Sequence, residues 1–309
     1  MLGTLFDKVT GLFDKRFMLA LLLPAFAFAA GTGALAATMV GWHRTTAWWS
    51  ALDAGRQVAL GVAADAAVVM LAIVAGTQVV AMTRLLEGYW RWTWADATLG
   101  RFGRRREGRR RERLAADASD LGYLHGYLAF PPAPAPLMPT RLGNALRAAE
   151  SYPGDEQRWG LDAVFWWPRL YLILPDGART QVDDARAGLD QLVVLTVLSA
   201  AFGTVALALS CAGLNLTVGL ACAAGGFLLS RACYLAAVTT AASFGDLIRS
   251  CYDLFRGDLL ARLGWPMPPT LKRERQLWGA LGQQLYRRGT STTDEALLNA
   301  PRQPAAPPP

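Results

Sequence analysis

RFGRRREGRRRER, residues 101–113, carries eight arginines and two glutamates; it lies about twenty residues after one long apolar run and far upstream of the next. Closely spaced arginines beside a hydrophobic helix are strongly held on the cytoplasmic side of a membrane, so the block orients the chain on either side of it. Three readings follow from its composition: a topology signal, a patch for anionic lipid, or an arm for nucleic acid. Its place beside an apolar run, with hardly an aromatic residue interleaved, favours the first two. Arg101, Arg104, Arg105, Arg106, Arg109, Arg110, Arg111 and Arg113 are therefore expected to face lipid headgroups.

The rest of the composition suits a bilayer. Hydrophobic residues make up 53% of the 309 and mean hydropathy is +0.22, with the apolar residues gathered in blocks as in membrane proteins. The net charge of +7 and pI near 9.5 arise mostly beside those blocks, where anionic headgroups account for them; nucleic acid is not an expected partner. Cys211, Cys222, Cys233 and Cys251 contain no CxxC, and only His43 and His125 could join them. That set does not suggest the four converging ligands of a structural zinc site, so the cysteines are read as small packing residues. No metal and no cofactor are expected. GxxxxGK[ST], HExxH, GxSxG and paired-carboxylate patterns are all missing, so the chain is not expected to be an enzyme.

Upstream of the arginines, Leu5-Phe6-Asp7-Lys8 recurs as Leu12-Phe13-Asp14-Lys15, which places the apolar residues of 1–16 on one helical face. This predicts an amphipathic helix, lying in the membrane interface or packed on a cytoplasmic domain. Phe17 to about Val40 holds no charge and is long enough to cross about 30 Å of hydrocarbon. A signal peptide would share the basic flank and a site such as Ala34-Leu35-Ala36, yet the run exceeds the roughly 7–15 residues of such a segment, so a retained span is expected. Residues 41–56, with Trp48 and Trp49, read as a short outer connection, and a second span runs from about Val58 to Met82. Tyr89, Trp90, Arg91, Trp92 and Trp94 then form an interfacial girdle.

Downstream, Leu128–Pro139 contains five prolines and is expected to be extended. Thr140 is placed to cap a helix over Arg141–Ser151, stopped by Pro153-Gly154-Asp155; Arg147 and Glu150 fall within helical reach of each other. Leu161–Leu174 is apolar but only fourteen residues long and contains Pro168, which leaves a buried strand pair, an interfacial segment or a re-entrant element. Pro175-Asp176-Gly177 signals a turn, and Asp183–Asp190 should begin a helix entering the third span. Leu192–Leu209 and Leu214 to about Thr240 read as an antiparallel pair of spans, with Cys222, Gly226 and Ser230 spaced to let another helix approach. Helical periodicity continues to Gly264-Trp265-Pro266, a further amphipathic helix covers about Leu271–Arg288, and PRQPAAPPP closes a tail expected to be disordered.

The expected fold is a mainly all-α membrane protein with four transmembrane helices in two hairpins. Its parts are residues 1–16 (amphipathic interfacial helix), 17–83 (first hairpin), 84–190 (cytoplasmic domain), 191–242 (second hairpin), 243–288 (cytoplasmic helices) and 289–309 (disordered tail). Three polar positions fall in the spans: Asp65, Gln78 and Arg231. At 1.5 Å per residue Asp65 lies about 14 Å in from the outer boundary and Arg231 about 24 Å in, a gap that helix tilt and the long arginine could close. They are read as an interhelical ion pair or as pore-lining groups, with snorkelling of Arg231 to headgroups as the plain alternative. The expected role is a non-enzymatic homo-oligomeric scaffold or ion-conducting pore in the bacterial plasma membrane, both termini cytoplasmic and anionic lipid as partner. The alternative is a membrane-anchored sensor or binding module for a cytoplasmic protein, through 139–174 or 271–288.

Residues 139–170, PTRLGNALRAAESYPGDEQRWGLDAVFWWPRL, resemble a segment of uncharacterised bacterial multi-pass membrane proteins in which a PTRLGN-type helix start precedes a GLDAV-type segment ending in WPRL. The resemblance covers about a tenth of the chain and implies a multi-pass membrane protein with no assigned activity. As layout alone, two spans, a basic cytoplasmic block and two spans are similar to bestrophin-like anion channels, without the motifs of that family.

Overall fold

The computed structural model describes residues 18–90, 92–116, 126, 128–132, 136–155, 157–213 and 215–287. Among them every regular element is helical. The expected helix over 1–16 and the tail over 289–309 lie outside the described residues.

Four helices are long and apolar enough to cross a membrane. Lipid offers no water to bond the backbone, and a helix satisfies its N–H and C=O groups within the segment itself. In chain order they begin with α1 (Leu23–Val40), which continues a π-helical turn at Met18–Leu22. After α2 (Trp42–Ser50) comes the second, α3 (Ala54–Glu87). A helical turn at Thr93–Ala95 and a π-helical one at Asp96–Gly100 lead into α4 (Arg101–Ala116), then α5 (Arg141–Ser151) and α6 (Ala163–Ile173). The other two long helices are α7 (Asp176–Cys211) and α8 (Leu216–Arg262), followed by α9 (Leu271–Arg287).

The structure adds one local detail to these expectations and corrects two. The 41–56 connection contains a helix, α2, whose Trp42, Trp48 and Trp49 are exposed. Leu161–Leu174 is no strand pair: Asp162 accepts hydrogen bonds from the backbone N–H of Val164 (3.0 Å) and Phe165 (3.3 Å) and so starts α6. Pro168 sits in the middle of that helix, and the bond it forgoes would have gone to the carbonyl of the exposed Val164. Finally, α7 begins at Asp176, seven residues before the expected Asp183. Pro175 accepts from the Arg179 N–H at 3.0 Å, and an acidic residue in the first turn suits the helix dipole, so Pro-Asp-Gly opens a helix here.

The chain divides into two units: one from the residues up to Leu86 together with Arg186–Thr239, the other from Glu87–Ala185 together with the residues from Thr240 on. Unit 1 holds the apolar helices. In the most apolar stretch of each long helix, α7 is 39% buried and α3 only 11%, which makes α7 the central helix of this unit. Ala75 of α3 meets Val194 and Leu198 of α7, while Leu35 of α1 meets Ala206 of α7 and Ala223 of α8. Small residues let the backbones approach. A Cβ on Gly226 would lie 2.8 Å from both the Cα and the N of Gly203, and the Ser230 hydroxyl donates to the Thr196 carbonyl at 2.9 Å. The partner expected for the Cys222, Gly226 and Ser230 face is thus α7.

Unit 2 has an aromatic core of Trp159, Trp166, Tyr252, Trp265 and Trp278 with Leu161, Leu170 and Leu260. Trp166 and Trp278 pack edge to face at 4.9 Å, joining α6 to α9, and the Tyr252 hydroxyl donates to the Ala163 carbonyl at 3.1 Å, joining α8 to α6.

Gly226→Leu forces α7 and α8 apart and is expected to lower the thermal midpoint of the detergent-solubilised protein by several degrees, in line with about 1–3 kcal/mol for overpacking. Gly225→Leu, with no atom within 4 Å of its Cβ position, should leave the midpoint almost unchanged; equal losses for the two would refute the close approach.

Candidate functional site

Unit 2 is tied at its start by the segment Pro139-Thr140-Arg141-Leu142-Gly143-Asn144. The Thr140 hydroxyl accepts the Gly143 N–H at 3.0 Å, capping α5, and donates to the carbonyl of Glu87, the last residue of α3, at 2.8 Å. Asn144 is fully buried and uses its whole side-chain amide: it accepts from the Met138 N–H at 2.8 Å and donates to the carbonyls of Met138 (3.0 Å) and Thr140 (2.9 Å). Three glycines make room. A Cβ on Gly143 would overlap the Glu87 carbonyl, one on Gly103 the Pro139 carbonyl, and one on Gly88 the Pro139 ring. Gly88 also has φ +97°, a backbone region that L side chains rarely enter. The arginine helix α4 is thereby locked, at Gly103, against the residue that precedes the α5 cap.

A cleft of about 470 Å³ opens on α4. Phe102, Arg105, Arg106, Arg109 and Arg113 form one wall, at spacings of three or four residues that repeat on a helical face. Glu107, Arg110 and Arg141 complete the lining. Glu107 is only 3% exposed and pairs with Arg110 at 3.4 Å and with Arg141 at 3.8 Å, so one carboxylate holds two guanidinium groups from two helices. Arg110 also lies 5.4 Å from the centre of the Phe130 ring. Arg105, Arg106, Arg109 and Arg113 make no ion pair within the described residues.

The block expected to act as one lipid-facing patch is thus divided. Arg101, Arg105, Arg106, Arg109 and Arg113 are exposed, while Arg104, Arg110 and Arg111 are half-buried. Arg104 reaches back to Asp96 with contacts of 2.8 and 3.4 Å. The hydrogen bond from Arg104 holds the Asp96 carboxyl below its ordinary value. With the folded pKa depressed, the contribution of this pair to stability is complete above the ordinary carboxylate range and is lost as pH falls through the lowered value.

The polar positions in the apolar helices are not brought together. Asp65, Gln78 and Arg231 are exposed, and no ion pair joins Asp65 to Arg231. The Arg231 guanidinium lies 5.9 Å from the Tyr234 ring of its own helix. Thr77 donates to the Val74 carbonyl on its own helix, at 2.8 Å.

No family model, no curated protein and no solved structure matches this chain. Function has to be argued from its own residues.

Sequence reasoning found the Thr140 cap and the Arg147–Glu150 pair, which closes at 3.0 Å. It missed Glu107, Asn144 and Gly103. Their signals were an isolated carboxylate and a glycine inside a run of arginines, and an amide in the first turn of a capped helix. It also read α9 as an available amphipathic face. Trp278 and Leu281 of that face are buried in the unit 2 core, while Leu271 and Leu285 remain exposed. Glu274, between them, is held by Arg256 at 3.0 Å and by the Trp278 ring N–H at 3.4 Å.

Asn144→Ala removes three hydrogen bonds, leaving the Met138 N–H and carbonyl without that partner while the Thr140 carbonyl keeps the N–H of residue 144; it is expected to cost about 2–3 kcal/mol, and Thr140→Val about 1–2 kcal/mol. Arg147→Ala, removing a partly exposed pair, should cost under about 0.5 kcal/mol. Chemical denaturation followed by tryptophan fluorescence would rank the three, and a loss for Arg147→Ala equal to that of Asn144→Ala would contradict the assignment.

Proposed function

We propose that the chain is a non-enzymatic integral membrane protein that assembles as a homo-oligomeric scaffold in a bacterial plasma membrane, with unit 2 and both termini on the cytoplasmic side. Asp65 carries this reading. It is exposed on a candidate span and ion-paired to nothing among the described residues. An ionisable group near the middle of a span costs about 2.5–3.5 kcal/mol. Arg231 can snorkel along its own helix, whereas a short aspartate side chain cannot reach the headgroups. Contact with another copy removes the cost. Asp65 also continues the register of Ala72 and Ala75, the buried stripe of α3, into a part of the helix where no described residue is buried.

A scaffold fits these positions better than a pore. Asp65 and Gln78 are thirteen residues apart on one helix, about 140° around its axis at 100° per residue, so a single lumen would take one of them and not both. A binding module for a cytoplasmic protein is the second reading, favoured by the exposed Val164 and Leu172 of α6.

Mass measurement of the protein in lipid nanodiscs is expected to give a dimer or larger assembly, shifted towards monomer by Asp65→Lys without loss of the unit 2 fluorescence signature. A wild-type protein that is monomeric at all concentrations would overturn the reading. For orientation, Cys211 is exposed at the end of α7 and should react with an impermeant maleimide in intact cells. In a Cys211→Ser background, Gly108→Cys should react only after permeabilisation; labelling from outside would reverse the topology.

A further inference from the structure

The arginine cleft of unit 2 holds six guanidinium groups and one carboxylate. The carboxylate is spent within the protein, since Glu107 is buried between Arg110 and Arg141. What remains is a wall of four arginines, Arg105, Arg106, Arg109 and Arg113, none of which makes an ion pair with a described residue. Like charges this close repel one another, and a bound anion relieves several repulsions at once. The guanidinium fork matches two oxygens of a phosphate, so neighbouring arginines at helical spacing can grip more than one phosphate group. A volume of about 470 Å³ lies inside the roughly 300–1,000 Å³ range of small-ligand sites.

The surroundings of the cleft select the source of that phosphate. Phe102 lines the cleft and is 70% exposed. In the same unit Leu99 and Tyr89 are exposed, as are Trp92 and Trp94, whose rings stack at 6.2 Å. Tryptophan and tyrosine with a polar edge settle at the level of headgroups, so the unit that holds the cationic cleft also carries exposed apolar anchors on the chain leading into α4. A soluble anion makes no use of such anchors, whereas a lipid uses both.

We propose that this cleft is a specific binding site for the headgroup of a membrane lipid carrying two or more phosphate groups, gripped by Arg105, Arg106, Arg109 and Arg113, with Glu107 as a positioning residue that fixes Arg110 and Arg141. This differs from a diffuse basic patch, which responds to surface charge and not to headgroup structure. It does not depend on the assembly proposed above, because every residue of the site lies in one protomer.

The test uses the full-length protein in phosphatidylcholine nanodiscs, with bound lipid counted by native mass spectrometry. Discs carry either cardiolipin, with two phosphates, or phosphatidylserine at equal total charge; inorganic pyrophosphate is titrated separately. Cardiolipin is expected to be retained at least tenfold more strongly than phosphatidylserine. Arg105→Ala/Arg109→Ala should abolish that preference, while Arg101→Ala/Arg111→Ala, which removes the same charge outside the cleft lining, should preserve it. Glu107→Gln should weaken retention, although it makes the protein more positive; stronger retention would mark a diffuse electrostatic patch and overturn the site. Equal effects of the two double variants, equal retention of both lipids, or pyrophosphate binding as tight as cardiolipin would each overturn the proposal. An unchanged thermal midpoint in the Arg105→Ala/Arg109→Ala protein separates loss of the site from loss of the fold.

Discussion

The Thr140 hydroxyl makes two hydrogen bonds of opposite sense, and they join the end of α3 to the start of α5. By accepting from Gly143 it starts α5, and by donating to Glu87 it ties that start to the end of α3. Asn144 then closes the loop before the cap. Once these bonds exist, the glycines at 88, 103 and 143 are required, because the backbones they join leave no room for a side chain. The arginine helix is held by the same junction, through Gly103 on Pro139 and Glu107 to Arg141. A hydrogen-bonded corner of few residues thus decides where a large positive charge is presented.

Unit 1 is built on a different principle. Lipid tails are as apolar as leucine, so helices gain little from mere burial and associate where small residues allow close packing. Gly203 against Gly226, and Ser230 on the Thr196 carbonyl, make that contact for α7 and α8. By contrast α3 keeps much of its surface outward, and Asp65 with it. An apolar helix with a carboxylate on its open face is what motivates assembly as the proposed role.

Unit 2 uses aromatic bulk and paired charge. Trp166, Trp278, Trp159 and Tyr252 fill its core, and Arg256 spans from Glu274 to the face of Trp159, 4.3 Å from the ring centre. Arg158 likewise covers Tyr152 at 3.8 Å and donates to its hydroxyl, which in turn donates to Asp253. These cations are satisfied locally. The four arginines of the α4 wall differ from these in making no ion pair among the described residues while lining one cleft together.

Hydropathy and period in the sequence alone determined that the chain has four apolar helices able to cross a membrane, because in lipid, without water, a long apolar segment can pair all its backbone groups within itself only as a helix. Local signals also located the α5 cap, since Thr140 acts on an N–H three residues away. The tertiary structure alone decided that Ala163–Ile173 is helical, that α7 starts at Asp176, that Asp65 and Arg231 do not meet, and that Glu107 is buried among arginines. The first two rest on local caps, at Asp162 and Pro175, that compete with strand and turn signals in the sequence; the last two depend on which face of a helix is covered and by what. Spacing along a sequence states which residues can share a face; only packing states what that face meets.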